Sequence, residues 1–264
     1  MIKADFHTHS TFSTDGTDKL RDMVRAAAEK GLETICLTEH HDFDYPGGEF
    51  LLDTDAYKAE LFRVKEDFSG KTEALFGVEL GLMKYLGERL RAFLDGKNFD
   101  FVIGSSHLVN GKDPYYPEYF AELGNKNGIL RYFESIVENI SAFSDFDVYG
   151  HIDYVVRYSP EKGYNPLDYR EILDEILRKI TALGKGVEIN TAALRKGLSH
   201  ANPHPFILKR YRELGGEIIT VGSDAHNAAD IAADFDIAEK MLIDAGFEYY
   251  AVFKERKPFF EKLG

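Results

Sequence analysis

The sequence predicts an α/β protein whose strands pair in parallel and close into a barrel. Short apolar runs alternate with longer amphipathic ones along the 264 residues, the pattern of strand–helix–strand crossovers. Seven or eight such runs occur, and that number over this length favours a barrel over an open doubly wound sheet. No low-complexity segment, Gly/Ser linker or strong repeat divides the chain, so 1–264 reads as a single domain.

The strands are expected over 2–6, 34–38, 74–80, 99–105, 147–150, 186–190 and 217–222, with 248–253 as one more. Helices fill the intervals. Segment 18–30 places Leu20, Met23, Val24 and Ala27 on one face, and Gly31 follows as a stop. Segments 55–68, 86–94 and 129–143 behave similarly. Segment 166–183 opens with Pro166 and closes at Gly184, the asymmetry expected of helix ends. Segment 203–214 repeats this with Gly215, and 228–245 ends at Gly246.

Hydrophobic residues make up 44% and charged residues 29%, which fits a protein with a substantial core. The formal net charge of −13 has the wrong sign for a general nucleic-acid surface. It serves solubility, or belongs in part to carboxylates that cations neutralise. The single cysteine, Cys36, lies in the apolar run Thr34-Ile35-Cys36-Leu37 and reads as buried and inert. No run reaches the length of a membrane span and no apolar leader opens the chain, so a cytoplasmic location is expected.

The chemistry-bearing residues fall where the strands end, the rim at which a barrel collects its reactive groups. Strand one runs into His7 and His9, with Asp15 nearby. In an extended chain residues i and i+2 point to one side, so the two imidazoles suit one metal ion. Strand two ends Thr38-Glu39-His40-His41-Asp42, and strand three reads Gly77-Val78-Glu79. Strand four gives Ser105-Ser106-His107, and strand five Gly150-His151. Strand six gives Glu188-Ile189-Asn190, and strand seven Gly222-Ser223-Asp224-Ala225-His226. Alone, Glu79 could be a core carboxylate, Asp15 a turn residue and His151 a structural hydrogen-bonder. His200 and His204 read as ordinary loop histidines.

This set of motifs resembles the PHP (polymerase and histidinol phosphatase) superfamily of metal-dependent phosphoesterases: HTH at the start, then TEHHD, GVE, SSH, GH and GSDAH, across Asp5 to His226. The segments EINTAALRKG and NPHPFILKRYRELGG, with the chain length, are most similar to the stand-alone histidinol-phosphate phosphatases. The resemblance implies a distorted (β/α)7 barrel with up to three divalent ions (zinc, manganese or iron) in its mouth. It implies His7, His9, Asp15, His40, Glu79, His107, His151, Asp224 and His226 as ligands. One partition puts His7, His9, Glu79 and Asp224 on one ion, Asp15, His40 and His226 on a second, and Glu79, His107 and His151 on a third. Glu79 bridges, because a carboxylate offers two oxygens. Glu39 departs from the family, where many members have Asp. It is expected to alter the groups around the ligands and not the ligand set.

The implied reaction is hydrolysis of a phosphate monoester, L-histidinol phosphate, by a metal-bridging hydroxide. Three divalent ions outweigh the carboxylates of Asp15, Glu79 and Asp224 and leave a cationic pocket for phosphate. Arg157 and Arg195 are placed to complete a phosphate clamp. Asp224, His226 or His41 would protonate the leaving alkoxide. Asp42 and Tyr116 are expected to meet the cationic and aromatic parts of the substrate, with Glu39, Phe43, Asp44, Asp113 and Tyr115 near them. The competing readings are a phosphodiesterase or nucleotide phosphatase on the same barrel, a nuclease or proofreading module, an amidohydrolase-type barrel and a non-catalytic metal-binding domain. The expected partner is a small phosphate monoester, with no nucleic acid and no membrane. The oligomeric state is not encoded in any pattern found.

Overall fold

The computed structural model describes residues 1–48, 50–161 and 163–264. Seven parallel strands form one sheet in strict chain order: β1 (Ala4–Thr8), β2 (Thr34–His41), β3 (Glu73–Gly81), β4 (Phe101–Ser105), β5 (Val148–Tyr149), β6 (Gly186–Asn190) and β7 (Ile219–Gly222). The helices between them are α1 (Leu20–Glu29), α2 (Thr54–Asp67), α3 (Gly87–Leu94), α4 (Pro117–Leu123), α5 (Asn125–Ala142), α6 (Arg170–Ala182), α7 (Ala192–Arg195) and α8 (Pro205–Glu213), and α9 (Phe235–Asp244) follows β7. This is the parallel barrel that the alternation predicts, with the (β/α)7 count that the family resemblance implies. No helix among the described residues is long and apolar enough to cross a membrane.

Closure between β1 and β7 is irregular. At the mouth, His9 N donates to Ala225 O at 2.8 Å and Asp224 N to His7 O at 2.7 Å. Deeper down, the buried Asp5 carboxylate replaces ladder bonds: it accepts from Ser223 N, Ser223 Oγ and Ala232 N at 2.9, 2.6 and 2.9 Å. Between Asp5 and Thr8 the register against β2 slips, a bulge of the kind that re-aims side chains beside a site.

The predicted helix faces are buried as expected; in α1 they are Leu20, Met23, Val24 and Ala27. Several boundaries need correction. Strand β1 starts two residues later than expected and runs on to Thr8, and β2 runs on to His41; hydropathy misses both extensions because the added residues are polar, though all but the half-buried His40 are buried. Segment 228–245 is not one helix. A 3-10 turn at Ala228–Asp230 is cut from α9 by Ala232 and Asp234, both at positive φ. Helix α8 starts at Pro205, with the His204 ring accepting from Phe206 N as its cap.

The expected eighth strand, β8 (Tyr249–Lys254), does not join the barrel. It pairs antiparallel with β9 (Lys257–Lys262), which the sequence reading missed. The hairpin covers the end opposite the mouth: Phe253 packs on Phe101 with ring centroids 5.0 Å apart, and Arg256 Nε donates to Asp147 at 2.5 Å.

Gly77 shows how tightly β2 and β3 approach. A Cβ there would lie 2.6 Å from Cys36 Sγ and 2.8 Å from Leu37 O. Gly77→Ala is therefore expected to destabilise the fold by about 1–3 kcal/mol, the usual cost of overpacking. Urea unfolding of the two proteins measures it.

Candidate metal centre

The site is built around Glu79, fully buried in β3. Its Oε2 lies 3.1 Å from His7 Nε2, 3.6 Å from His9 Nε2 and 2.9 Å from His40 Nδ1. Its Oε1 lies 3.1 Å from His107 Nε2, 3.0 Å from His151 Nε2 and 2.6 Å from Ser105 Oγ. Each imidazole comes from the end of a different strand or the loop just after it, His7 and His9 together from β1. Asp224 adds Oδ1 at 3.8 Å from His7 Nε2 and 3.5 Å from His9 Nε2. Asp15 and His226 complete the outer side: Asp15 Oδ2 lies 3.1 Å from His226 Nε2 and 3.7 Å from His40 Nε2. The structure thus gathers all nine residues expected as ligands.

Four groups have donor atoms close enough together to share an ion: His7/His9/Asp224, His9/His40/His226, His7/Glu79/His151 and His40/Asp42/His107. The first falls within the expected partition. The second joins His9, and not Asp15, to His40 and His226, and the last two divide the expected third position, placing Glu79 and His151 with His7, and His107 with His40 and Asp42. The donor set fits cations on a physical test. His7 Nε2, His9 Nε2, His40 Nδ1 and Glu79 Oε2 are buried without a hydrogen-bond partner. They crowd one another, but not in hydrogen-bonding alignment. Buried polar atoms are rarely left so, and an ion with nitrogen and oxygen ligands answers all of them at once.

Four of the opposite ring nitrogens are held. His107 Nδ1 pairs with Asp42 Oδ2 at 2.6 Å, His9 Nδ1 with Ser13 Oγ at 3.3 Å, and His226 Nδ1 with Asp224 O at 3.0 Å. Such partners decide which nitrogen is free for a metal. Ser13 Oγ in turn donates to the buried Glu39 at 2.6 Å, and Ser10 Oγ at 2.5 Å. Glu39 therefore stands behind His9 and His40, both bonded to Ser13, and belongs to none of the four groups. His7 Nδ1 meets Glu188 Oε1 at 2.5 Å, a partner the sequence reading placed at a strand end without a role. Asp224 and His151 hold positive φ values of 52° and 21°, uncommon for such residues and found where a site dictates the backbone.

The cluster opens into a cavity of about 550 Å³ lined by Asp42, Tyr45, His107, Asp113, Tyr115, Tyr116, Arg157, Arg195 and Lys196, among others. Arg157 is buried, donating to Asp224 Oδ2, Asn190 Oδ1 and Asn202 Oδ1 at 3.1, 2.7 and 2.6 Å. Sequence reasoning placed Asn190 at a strand end without a role and missed Asn202; neither carries a charge signal. Arg195 donates to Ser223 O at 2.5 Å, and its Nη1 has no partner. Tyr116 is half exposed at the rim, and Asp113 accepts from Tyr45 OH at 2.9 Å. His41 is the exception. Its ring stacks on Phe93 at 3.7 Å and accepts from Leu52 N, turned away from the cluster. It follows His40 in an extended strand, so it points to the other face and is not placed to protonate a leaving group.

The chain belongs to the PHP domain family, whose pattern matches residues 5–192. Among curated relatives, the histidinol-phosphatase of Lactococcus lactis is 33% identical over 97% of this chain and 96% of its own length. A probable histidinol-phosphatase of Clostridium acetobutylicum is 36% identical over 90% of this chain and 91% of its own. The crystal structure of the L. lactis histidinol phosphate phosphatase, complexed with zinc, L-histidinol and phosphate, aligns with a TM-score of 0.89 at 32% identity. That alignment covers 97% of this chain and 98% of the other.

Protons compete for the cluster. Burial opposes charge on His40, but Glu79 and Asp15 outweigh it and carry its pKa up to about 9. Burial is likewise overcome at His7 by Glu188 and Glu79, at His107 by Asp42 and Glu79, and at His226 by Asp15 and Asp224; all three are raised. Burial would neutralise Glu79, yet the imidazoles of His7, His107 and His40 hold it well below the carboxylate range. With a pKa of about 9, His40 is protonated at neutral pH, and a cation bound there must displace its proton. Divalent-ion affinity is therefore expected to rise between pH 6 and 9, with protons released on uptake. Titration calorimetry in buffers of different ionisation enthalpy reads both; an affinity flat over that range contradicts the assignment.

Proposed function

We propose that this chain hydrolyses the phosphate monoester L-histidinol phosphate to L-histidinol and phosphate, using divalent ions held by its histidine–carboxylate cluster. The observation that carries the reading is the cluster around Glu79, sharing one cavity with Arg157 and Arg195. The similarity to histidinol-phosphatases, one of them crystallised with zinc, L-histidinol and phosphate, supports the substrate.

His7, His9 and Asp224 would hold one ion, with Asp15, His40 and His226 a second. His107 and His151 would hold a third, and Glu79 would bridge. Zinc is the ion the relative supports, and manganese or iron(II) suit the same thiolate-free donor set. Such ions supply activated water and offset the charge of the phosphoryl oxygens. The protein's own part is positioning. Arg195, with a buried N–H to spare, and Arg157, braced by two asparagines, orient the phosphate. Asp42 and Asp113 in the cavity wall would meet the substrate's ammonium group, and Tyr45, Tyr115 and Tyr116 its imidazole. Asp224 or His226 would return a proton to the leaving alkoxide. A cytoplasmic setting accords with the one buried cysteine.

The first test is phosphate release from histidinol phosphate against a panel of monoesters, diesters and nucleotides, with metal content measured on the same sample. Histidinol phosphate is expected to be cleaved with the highest kcat/KM. Equal or faster cleavage of a diester or nucleotide would reassign the substrate. Arg195→Ala should raise KM by about 10- to 100-fold, the weight of one or two charge-assisted hydrogen bonds, with little change in unfolding midpoint. An unchanged KM removes Arg195 from the phosphate site.

A further inference from the structure

Glu188 is a buried carboxylate that no ligand group uses. It lies in β6 at 1% exposure. Its Oε1 accepts from His7 Nδ1 at 2.5 Å, and its Oε2 from the backbone N–H of His151 at 3.0 Å and from Asn190 Nδ2 at 3.3 Å. The opposite sides of the two histidines meet Glu79, His7 Nε2 at Oε2 and His151 Nε2 at Oε1. One side chain therefore touches, from behind, a residue facing each oxygen of the bridging carboxylate. The space for it comes from glycine: a Cβ on Gly222 would lie 2.6 Å from Glu188 Oε1 and 2.3 Å from His7 Cβ.

An imidazole presents the lone pair of Nε2 when its proton sits on Nδ1, and a carboxylate at Nδ1 fixes that tautomer and makes the ring a stronger donor. His151 differs. Its Nδ1 has no partner, so its ring is not held from behind. What is held is its backbone, at an uncommon positive φ, by the bond to Glu188. No hydrogen bond or ion pair among the described residues joins Glu188 to Asp15, His40 or His226.

We propose that Glu188 is a positioning residue for the inner part of the metal centre: it aims His7 and His151 at the two oxygens of Glu79 and leaves the outer position, held by Asp15, His40 and His226, untouched. The proposal rests on the metal-centre reading above and deepens it by ranking the ion positions.

Glu188→Gln tests it in the full chain. The amide keeps the shape but sets an NH2 against a donor where an oxygen accepted. Wild type and variant are loaded with zinc, dialysed against rising chelator and counted for ions per chain; the ion-free proteins are melted in parallel. The variant should lose its inner ions at roughly 10- to 100-fold lower chelator, keep its outermost ion as wild type does, and melt, ion-free, close to wild type. Parallel release from both proteins overturns the proposal, and so does a large fall in the ion-free midpoint, which would make Glu188 a packing residue. A second measurement needs no variant. In zinc-loaded wild type, proton NMR should show a protected, strongly downfield His7 Nδ1–H resonance; its absence overturns the contact. Wild type that takes up no ion would sink the metal-centre reading itself, whereas a loaded wild type with an indifferent variant removes only Glu188.

Discussion

A carboxylate with no access to water stands at the centre of this barrel. Glu79 has five imidazoles within 3.6 Å, three toward one oxygen and two toward the other. An isolated buried anion costs many kcal/mol, and breaking a buried pair by removing one partner costs about 3–5 kcal/mol. Glu79 and its histidines therefore depend on one another, and the strands that bring them together must meet at one level. A parallel barrel meets that requirement because its strands all end at the same face.

The weak seam of the barrel lies at the same place. Strands β1 and β7 meet through the Asp5 side chain and a few backbone bonds near the mouth. Those bonds run from Asp224 and His9, both members of the cluster. Closing the barrel and assembling the site are thus partly one event. The residues around the cluster follow the same economy of space: Asp42, Ser13 with Glu39, and Glu188 each reach one of its histidines, and Asn190 with Asn202 hold Arg157 in place.

Much of this was legible in the sequence, for identifiable reasons. Apolar alternation marked the seven barrel strands, and the i, i+2 spacing of His7 and His9 placed both rings on one side. The order of Glu79, His107, His151 and Asp224 at strand ends announced a shared rim. What stayed hidden depends on contacts between distant segments. The bonds of Arg157 to Asn190 and Asn202 join residues 33 and 45 positions apart. Glu188 lies 181 positions from His7, and nothing in its local pattern separates it from a core carboxylate. Strand β9 was missed because Pro258 weakens its strand signal, and because the turn before it uses Glu255 and Arg256 at positive φ, where glycine or asparagine is the usual marker. His41 was misjudged for the opposite reason: a histidine beside a ligand looks like part of the site until strand alternation is applied strictly.

The central claim is that the two oxygens of Glu79 face different cations. Anomalous diffraction from crystals of the protein purified with its metals, recorded on both sides of the zinc, iron and manganese edges, tests it most directly. The account predicts separate peaks flanking Glu79, one within bonding distance of each oxygen, with His7 and His9 on one side and His107 or His151 on the other. A map with no peak beside Glu79, or with one ion bound through the outer residues alone, would contradict it.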